Sequence, residues 1–182
     1  MTGKKFKLAL IAVFTLQLVL IAAMLFDRVT TIRNGQEVLL QSRFVDPRDV
    51  FRGHFVRLNL IAGTIGKNLP GASEQFRHND PVYVSLKEGK DGFWVAKALY
   101  KNLPGKVEDP VLMGNFGGTQ GNTLRIRFPF DRYFAPKDRA QQLEKIRNQQ
   151  KLGVVLALNG KGGGVIKGLT IDGEIVYDEP LF

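Results

Sequence analysis

A mainly β fold behind a single N-terminal transmembrane helix is predicted by three observations. Residues 8–26 form a run of nineteen residues without a charge. Past that run, apolar residues recur mostly at every second position, between Gly, Pro, Asn and Asp punctuation. One stretch alone, residues 136–150, has helical spacing instead. The expected architecture is therefore a β-barrel or sandwich-like domain of about nine strands with one surface helix. A doubly wound parallel sheet would need strand–helix alternation, which the chain lacks.

As a helix, residues 8–26 span about 28 Å, close to the thickness of the bilayer hydrocarbon. Lys4, Lys5 and Lys7 precede the run and Asp27 and Arg28 follow it, so charge marks both ends. The clustered lysines favour an N-terminus in the cytoplasm. A cleaved signal peptide is the competing expectation, with Ile21-Ala22-Ala23 as a small-residue site. Its apolar region is typically about 7–15 residues, shorter than this one. The division is thus a basic cytoplasmic tail at 1–7, a transmembrane helix at 8–26, and an exported, periplasmic domain at 27–182.

Nine strands are expected in that domain. Gln36–Val45 comes first, before an Asp46-Pro47-Arg48-Asp49 turn. Residues 54–61 alternate cleanly, with Val56, Leu58 and Leu60 on one side. Residues 81–86 and 93–100 flank Lys87-Glu88-Gly89-Lys90-Asp91-Gly92, a hairpin signal. Residues 111–116, 123–130, 152–158 and 165–171 continue the pattern, and 174–177 follow the Asp172-Gly173 turn. In 136–150, Ala140, Leu143 and Ile146 make a narrow apolar stripe that suits a helix lying on a sheet. Pro136 fits its first turn, and Asp138, Arg147 and Lys151 complement its dipole.

Composition removes several classes of function. The 182 residues carry 26 Lys+Arg against 17 Asp+Glu, a net charge of +9. Only three of those cations precede the apolar run, so the exported part stays basic. With 44% hydrophobic and 24% charged residues the chain is neither disordered nor collagen-like. A mean hydropathy of −0.08 excludes a multi-span membrane protein. There is no cysteine, and hence no disulfide, thiolate metal site or cysteine nucleophile. Nucleic acid is not an expected partner, because the anchor holds the basic domain outside the compartment where nucleic acid is met. The basic surface could instead meet anionic lipid head groups or an envelope polymer.

The most distinctive stretch runs from Asp46 through Pro47, Arg48, Asp49, Val50, Phe51, Arg52, Gly53, His54, Phe55, Val56 and Arg57 to Leu58. Its residues have structural uses: Asp46 and Asp49 can accept from backbone N–H groups of their own turn, and Pro47 presets its corner. Gly53 allows a bulge or a positive φ, and Arg48 and Arg52 can pair with the carboxylates. A metal reading would take His54 with Asp46 and Asp49, and His78 from a polar loop; the two arginines oppose a cation. A Ser–Lys hydrolase would have to use Ser42, Ser73 or Ser85, none of which has a glycine elbow or a lysine at a telling spacing. Asn159-Gly160-Lys161-Gly162-Gly163-Gly164 lacks the Ser/Thr of a phosphate loop and precedes a strand, so it is expected to be a hairpin tip. Phe93-Trp94 and Tyr133-Phe134 are aromatic pairs, and core packing is the expectation for Trp94.

The Asp46–Leu58 stretch resembles the GDYXXLXY-motif family of bacterial membrane-anchored proteins, whose motif also follows an Asp-Pro-Arg-Asp-like lead. Gly53 and Leu58 match the motif. His54 stands where the family has Asp, and Phe55 and Leu60 where it has Tyr. Arg132-Tyr133-Phe134-Ala135-Pro136 is similar to a later block of the family, before a helix. The resemblance implies an inner-membrane protein, often encoded near multi-span membrane proteins, and implies no activity.

The expectation is thus a non-enzymatic, membrane-anchored protein that needs no cofactor and whose exported domain binds another membrane protein or an envelope component. The alternatives are a hydrolase or metal-dependent enzyme centred on the Asp46–His54 turn, and a lipid- or glycan-binding module with an apolar barrel lumen.

Overall fold

The computed structural model describes residues 3–45, 55–105, 108–130, 132–134 and 152–178. The chain opens with one helix, α1 (Gly3–Asn34), long and apolar enough to cross a membrane, and no residue of its apolar window is buried. The helix does not stop where the uncharged run stops. It continues through residues 27–34, about 12 Å further. Thr31 is buried there; its hydroxyl donates to the Asp27 carbonyl at 2.8 Å. Gly35 then turns the chain into the first strand, its N–H donating to the Thr31 carbonyl at 2.9 Å. A Cβ at Gly35 would sit 2.3 Å from the Thr31 carbonyl oxygen and 2.8 Å from that of Leu158. The helix end and the sheet therefore touch backbone to backbone.

Eleven strands follow among the described residues: β1 (Gln36–Val45), β2 (Phe55–Leu60), β3 (Thr64–Gly66), β4 (Pro81–Glu88), β5 (Trp94–Tyr100), β6 (Val111–Gln120), β7 (Thr123–Arg127), β8 (Arg132–Phe134), β9 (Leu152–Leu158), β10 (Gly164–Ile171) and β11 (Glu174–Asp178). They form a six-stranded sheet, β11-β10-β9-β1-β2-β8, and a five-stranded sheet, β3-β7-β6-β4-β5, antiparallel throughout. The fold is mainly β and sandwich-like. The barrel alternative is corrected: the described strands leave both sheets open, and the space between them is filled. Leu40, Val82, Val84, Leu86, Leu112, Val154, Leu156 and Leu169 are all completely buried in that core. A lumen for a lipid or glycan has no place among them.

The nine expected strands all appear, and the two additional ones, β3 and β8, are only three residues long. The strand expected to run to Phe130 stops at Arg127, because Pro129 cannot donate to a ladder. Phe128 and Phe130, on either side of that proline, are buried instead. The β4–β5 hairpin forms around Gly92 at φ +77°. Phe93 is buried and Trp94 packs partly buried against the core. The surface helix expected at 136–150 lies outside the described residues.

The glycine-rich segment between β9 and β10 is a hairpin tip, as expected, and β10 follows it. Asn159 Oδ1 accepts from the N–H groups of Lys161 and Gly163 at 2.9 and 3.0 Å. The tip then reaches the other sheet, where the Met113 N–H donates to the Gly162 carbonyl at 2.8 Å. This is an isolated parallel bridge beside β6, where β7 has already ended. It joins the two sheets at the end of β9 that also meets α1.

Candidate functional site: a corner cleft beside the motif strand

Of the residues singled out by sequence, Asp46, Pro47, Arg48, Asp49, Arg52, Gly53 and His54 lie outside the described residues. Phe55 and Leu58 lie on β2. Leu58 is only 3% exposed and belongs to the core. The second distinctive block, Arg132-Tyr133-Phe134, is β8, and it pairs directly with β2. Phe55 stands opposite Phe134, Val56 opposite Tyr133, and Arg57 opposite Arg132. Two blocks some seventy-five residues apart in the chain are thus neighbouring strands at one edge of the larger sheet.

The pairing ends early. β8 covers β2 only from Phe55 to Arg57, so among the described residues Leu58, Asn59 and Leu60 have no strand beside them on that side. β3 likewise covers β7 only from Thr123 to Arg125. Two chain crossings produce this gap. The 3₁₀ turn Ile61–Gly63 carries β2 from the larger sheet into β3 of the smaller one, and the chain that leaves β7 through Phe128, Pro129 and Phe130 is back in the larger sheet at β8. Gly63 makes the first crossing possible, since a Cβ there would lie 2.6 Å from the Ile126 carbonyl oxygen.

Between the crossings lies a cleft of about 400 Å³. Leu58, Leu60, Ile126, Phe128 and Phe130 make its apolar floor; Asn59, Thr64, Arg125 and Arg127 supply its polar groups. Beneath it, Ser42 accepts from the Asn59 N–H at 3.0 Å and donates to the Arg43 carbonyl at 3.2 Å. The charge in the cleft is positive. Strand alternation places Arg125 and Arg127 together on the exposed face of β7, with Leu124 and Ile126 buried between and beside them. Arg127 lies along β6 over Gly117, whose missing side chain makes room for it: a Cβ there would meet Arg127 Cγ at 3.4 Å. Its Nη2 donates to Asn79 Oδ1 at 3.4 Å and lies 3.5 Å from His78 Nε2. His78 is therefore a neighbour of an arginine. Arg125 has no partner among the described residues.

The other nucleophile and metal readings gain no geometry. Ser42 and Ser85 are buried in strands with hydroxyls directed at backbone, and Ser73 is exposed in a loop. No group of three His, Asp or Glu side chains placed to hold a metal occurs among the described residues.

A family model described as "GDYXXLXY protein" matches residues 17–169. The chain belongs to the GDYXXLXY family. No curated protein and no solved structure matches it. The match begins inside the apolar helix and runs through both distinctive blocks to β10. In this member, the motif leucine, Leu58, is a core side chain on the cleft floor. Leu60, where the family has its last tyrosine, is also buried and also lines the cleft. The two arginines opposite them were not singled out by the sequence. Their signal was available in Thr123-Leu124-Arg125-Ile126-Arg127, a period-two strand with both cations on one face, followed by Pro129. The cleft itself needs the two crossings, which no local pattern encodes.

Proposed function

We propose that this GDYXXLXY-family chain is a non-enzymatic binding protein, anchored in the bacterial inner membrane by α1, whose exported β domain engages another membrane protein or an envelope component. The observation that carries this reading is the continuity of α1. Its apolar window is fully exposed, and the same helix runs unbroken to a backbone contact with β9. A domain so joined sits within about 12 Å of the hydrocarbon edge and searches for partners in the membrane plane, which raises their effective concentration. Lys4, Lys5 and Lys7 support a cytoplasmic N-terminus, and hence a periplasmic domain. Co-purification from mild detergent tests the proposal: a defined chain retained at fixed ratio supports it, and a solitary protein contradicts it. Protease added to spheroplasts tests the orientation, since only a periplasmic domain is cut without lysis.

A further inference from the structure

Gln17 stands at the centre of the uncharged run 8–26, nine residues from either end. On α1 that is about 13 Å from each edge, at the midplane of the hydrocarbon. Its side chain is exposed on the helix surface and makes no hydrogen bond among the described residues. A carboxamide carries two donors and an acceptor. The backbone N–H groups around it are spent in the helical ladder, so its own helix has no donor for the carboxamide oxygen, and lipid tails have none either. Thr15, the other plainly polar residue of the run, lies about 200° round the helix and faces away. We infer that α1 pairs in the membrane with α1 of a second copy of this chain, Gln17 against Gln17 at a two-fold axis. This rests on the anchoring role proposed for α1 above and is independent of what the exported domain binds.

Depth, chemistry and pattern all select a second copy. Every copy carries the same flanking charges and inserts in the same direction, so a parallel pair brings the two Gln17 side chains to one depth. Two carboxamides are self-complementary, each donating an N–H to the other's oxygen across the axis. Leu10, Val13, Gln17, Leu20 and Met24 recur at alternating steps of three and four, the seam of a left-handed helix pair, and all five are exposed. Apolar contact alone does not select a helix partner in lipid, whose tails are as apolar as leucine. The carboxamide pair supplies that selection, and a single polar seam residue also fixes register and the number of strands. A helix of another protein would need a polar group of its own at this depth, whereas a second copy already carries one. The pair holds two exported domains together, which adds avidity to whatever they bind.

The chain has no cysteine, so a single introduced thiol reports on the pair without background. Full-length Val13→Cys and Leu20→Cys, treated in native membranes with a membrane-permeant oxidant, are expected to give a disulfide-linked species of twice the chain's mass. Ala22→Cys, on the far side of the helix, is expected to stay a single chain. In the Leu20→Cys background, Gln17→Leu should cut the linkage about fivefold or more, the effect of losing a polar contact within lipid. Gln17→Asn should retain it, and Thr15→Val should leave it unchanged. Gln17→Leu makes the run more apolar, so it still inserts, which resistance to alkaline extraction checks. The inference is overturned by no linkage at Val13→Cys or Leu20→Cys, by equal linkage at Ala22→Cys, by linkage that survives Gln17→Leu, or by equal loss in Thr15→Val. A linked species containing a different polypeptide also overturns it, in favour of a helix from another protein. Light scattering of the solubilised chain, corrected for detergent, should count two copies; any other number refutes the pair. Failure here is separable from failure of the anchoring role. A chain released by alkaline extraction sinks the anchor and the pair together, whereas a chain retained in the membrane as single copies sinks only the pair.

Discussion

Gly162 is the position where one methyl group should be felt most clearly, because it bridges the sheets. Its φ is +88°, a region that costs a residue with a Cβ about 1–2 kcal/mol. The methyl of Gly162→Ala would also lie 3.1 Å from both Met113 Cβ and a ring carbon of Tyr83. Moving those groups adds an overpacking cost of about 1–2 kcal/mol, at the low end of its usual range. Gly160, in the same hairpin tip, has φ +72° but nothing within 4 Å of its Cβ position. Gly160→Ala therefore carries the backbone cost alone, and the pair of variants isolates the contact. For a domain of this size each kcal/mol moves the thermal midpoint by about 2–4 °C. Thermal unfolding of the full chain in detergent should show Gly162→Ala melting about 2–8 °C below Gly160→Ala. Equal losses would mean that the tip does not pack on Tyr83 and Met113, and the bridge between sheets would be refuted.

Three further substitutions probe the core and the cleft floor. Leu156→Ala, at a completely buried position of β9, should cost about 2–5 kcal/mol in urea unfolding. Thr170→Val should be neutral or stabilise by about 1 kcal/mol, because the Thr170 hydroxyl is buried with no hydrogen-bond partner among the described residues. A clear loss would show that this hydroxyl is satisfied. Ser42→Ala strands the Asn59 N–H beneath the cleft and should cost about 1–3 kcal/mol. No change in urea midpoint would show that the serine does not hold β2.

Much of the fold was legible because strand alternation is a local property. The nine expected strands, the β4–β5 hairpin and the glycine tip each follow from spacing and turn residues that lie together in the chain. β3 and β8 were not legible, since three residues are too few to display a period; they exist because β7 and β2 offer edges to pair with. The barrel alternative had the same strand pattern as the sandwich. Closure depends on which strands become neighbours, and here the 3₁₀ turn at Ile61–Gly63 moves the chain to a second sheet instead of extending the first. The candidate site shows the same division. Leu58 was found through a motif, whereas Arg125 and Arg127 acquire their meaning only from the gap opposite them.

One result bears most directly on the whole account: the composition of what leaves the membrane with this chain under gentle solubilisation. Size-exclusion chromatography of the tagged, full-length protein, followed by mass spectrometry of its peak, should find a second envelope polypeptide at constant stoichiometry across that peak. A peak containing this polypeptide by itself, from cells in which it is folded and membrane-bound, would contradict the account.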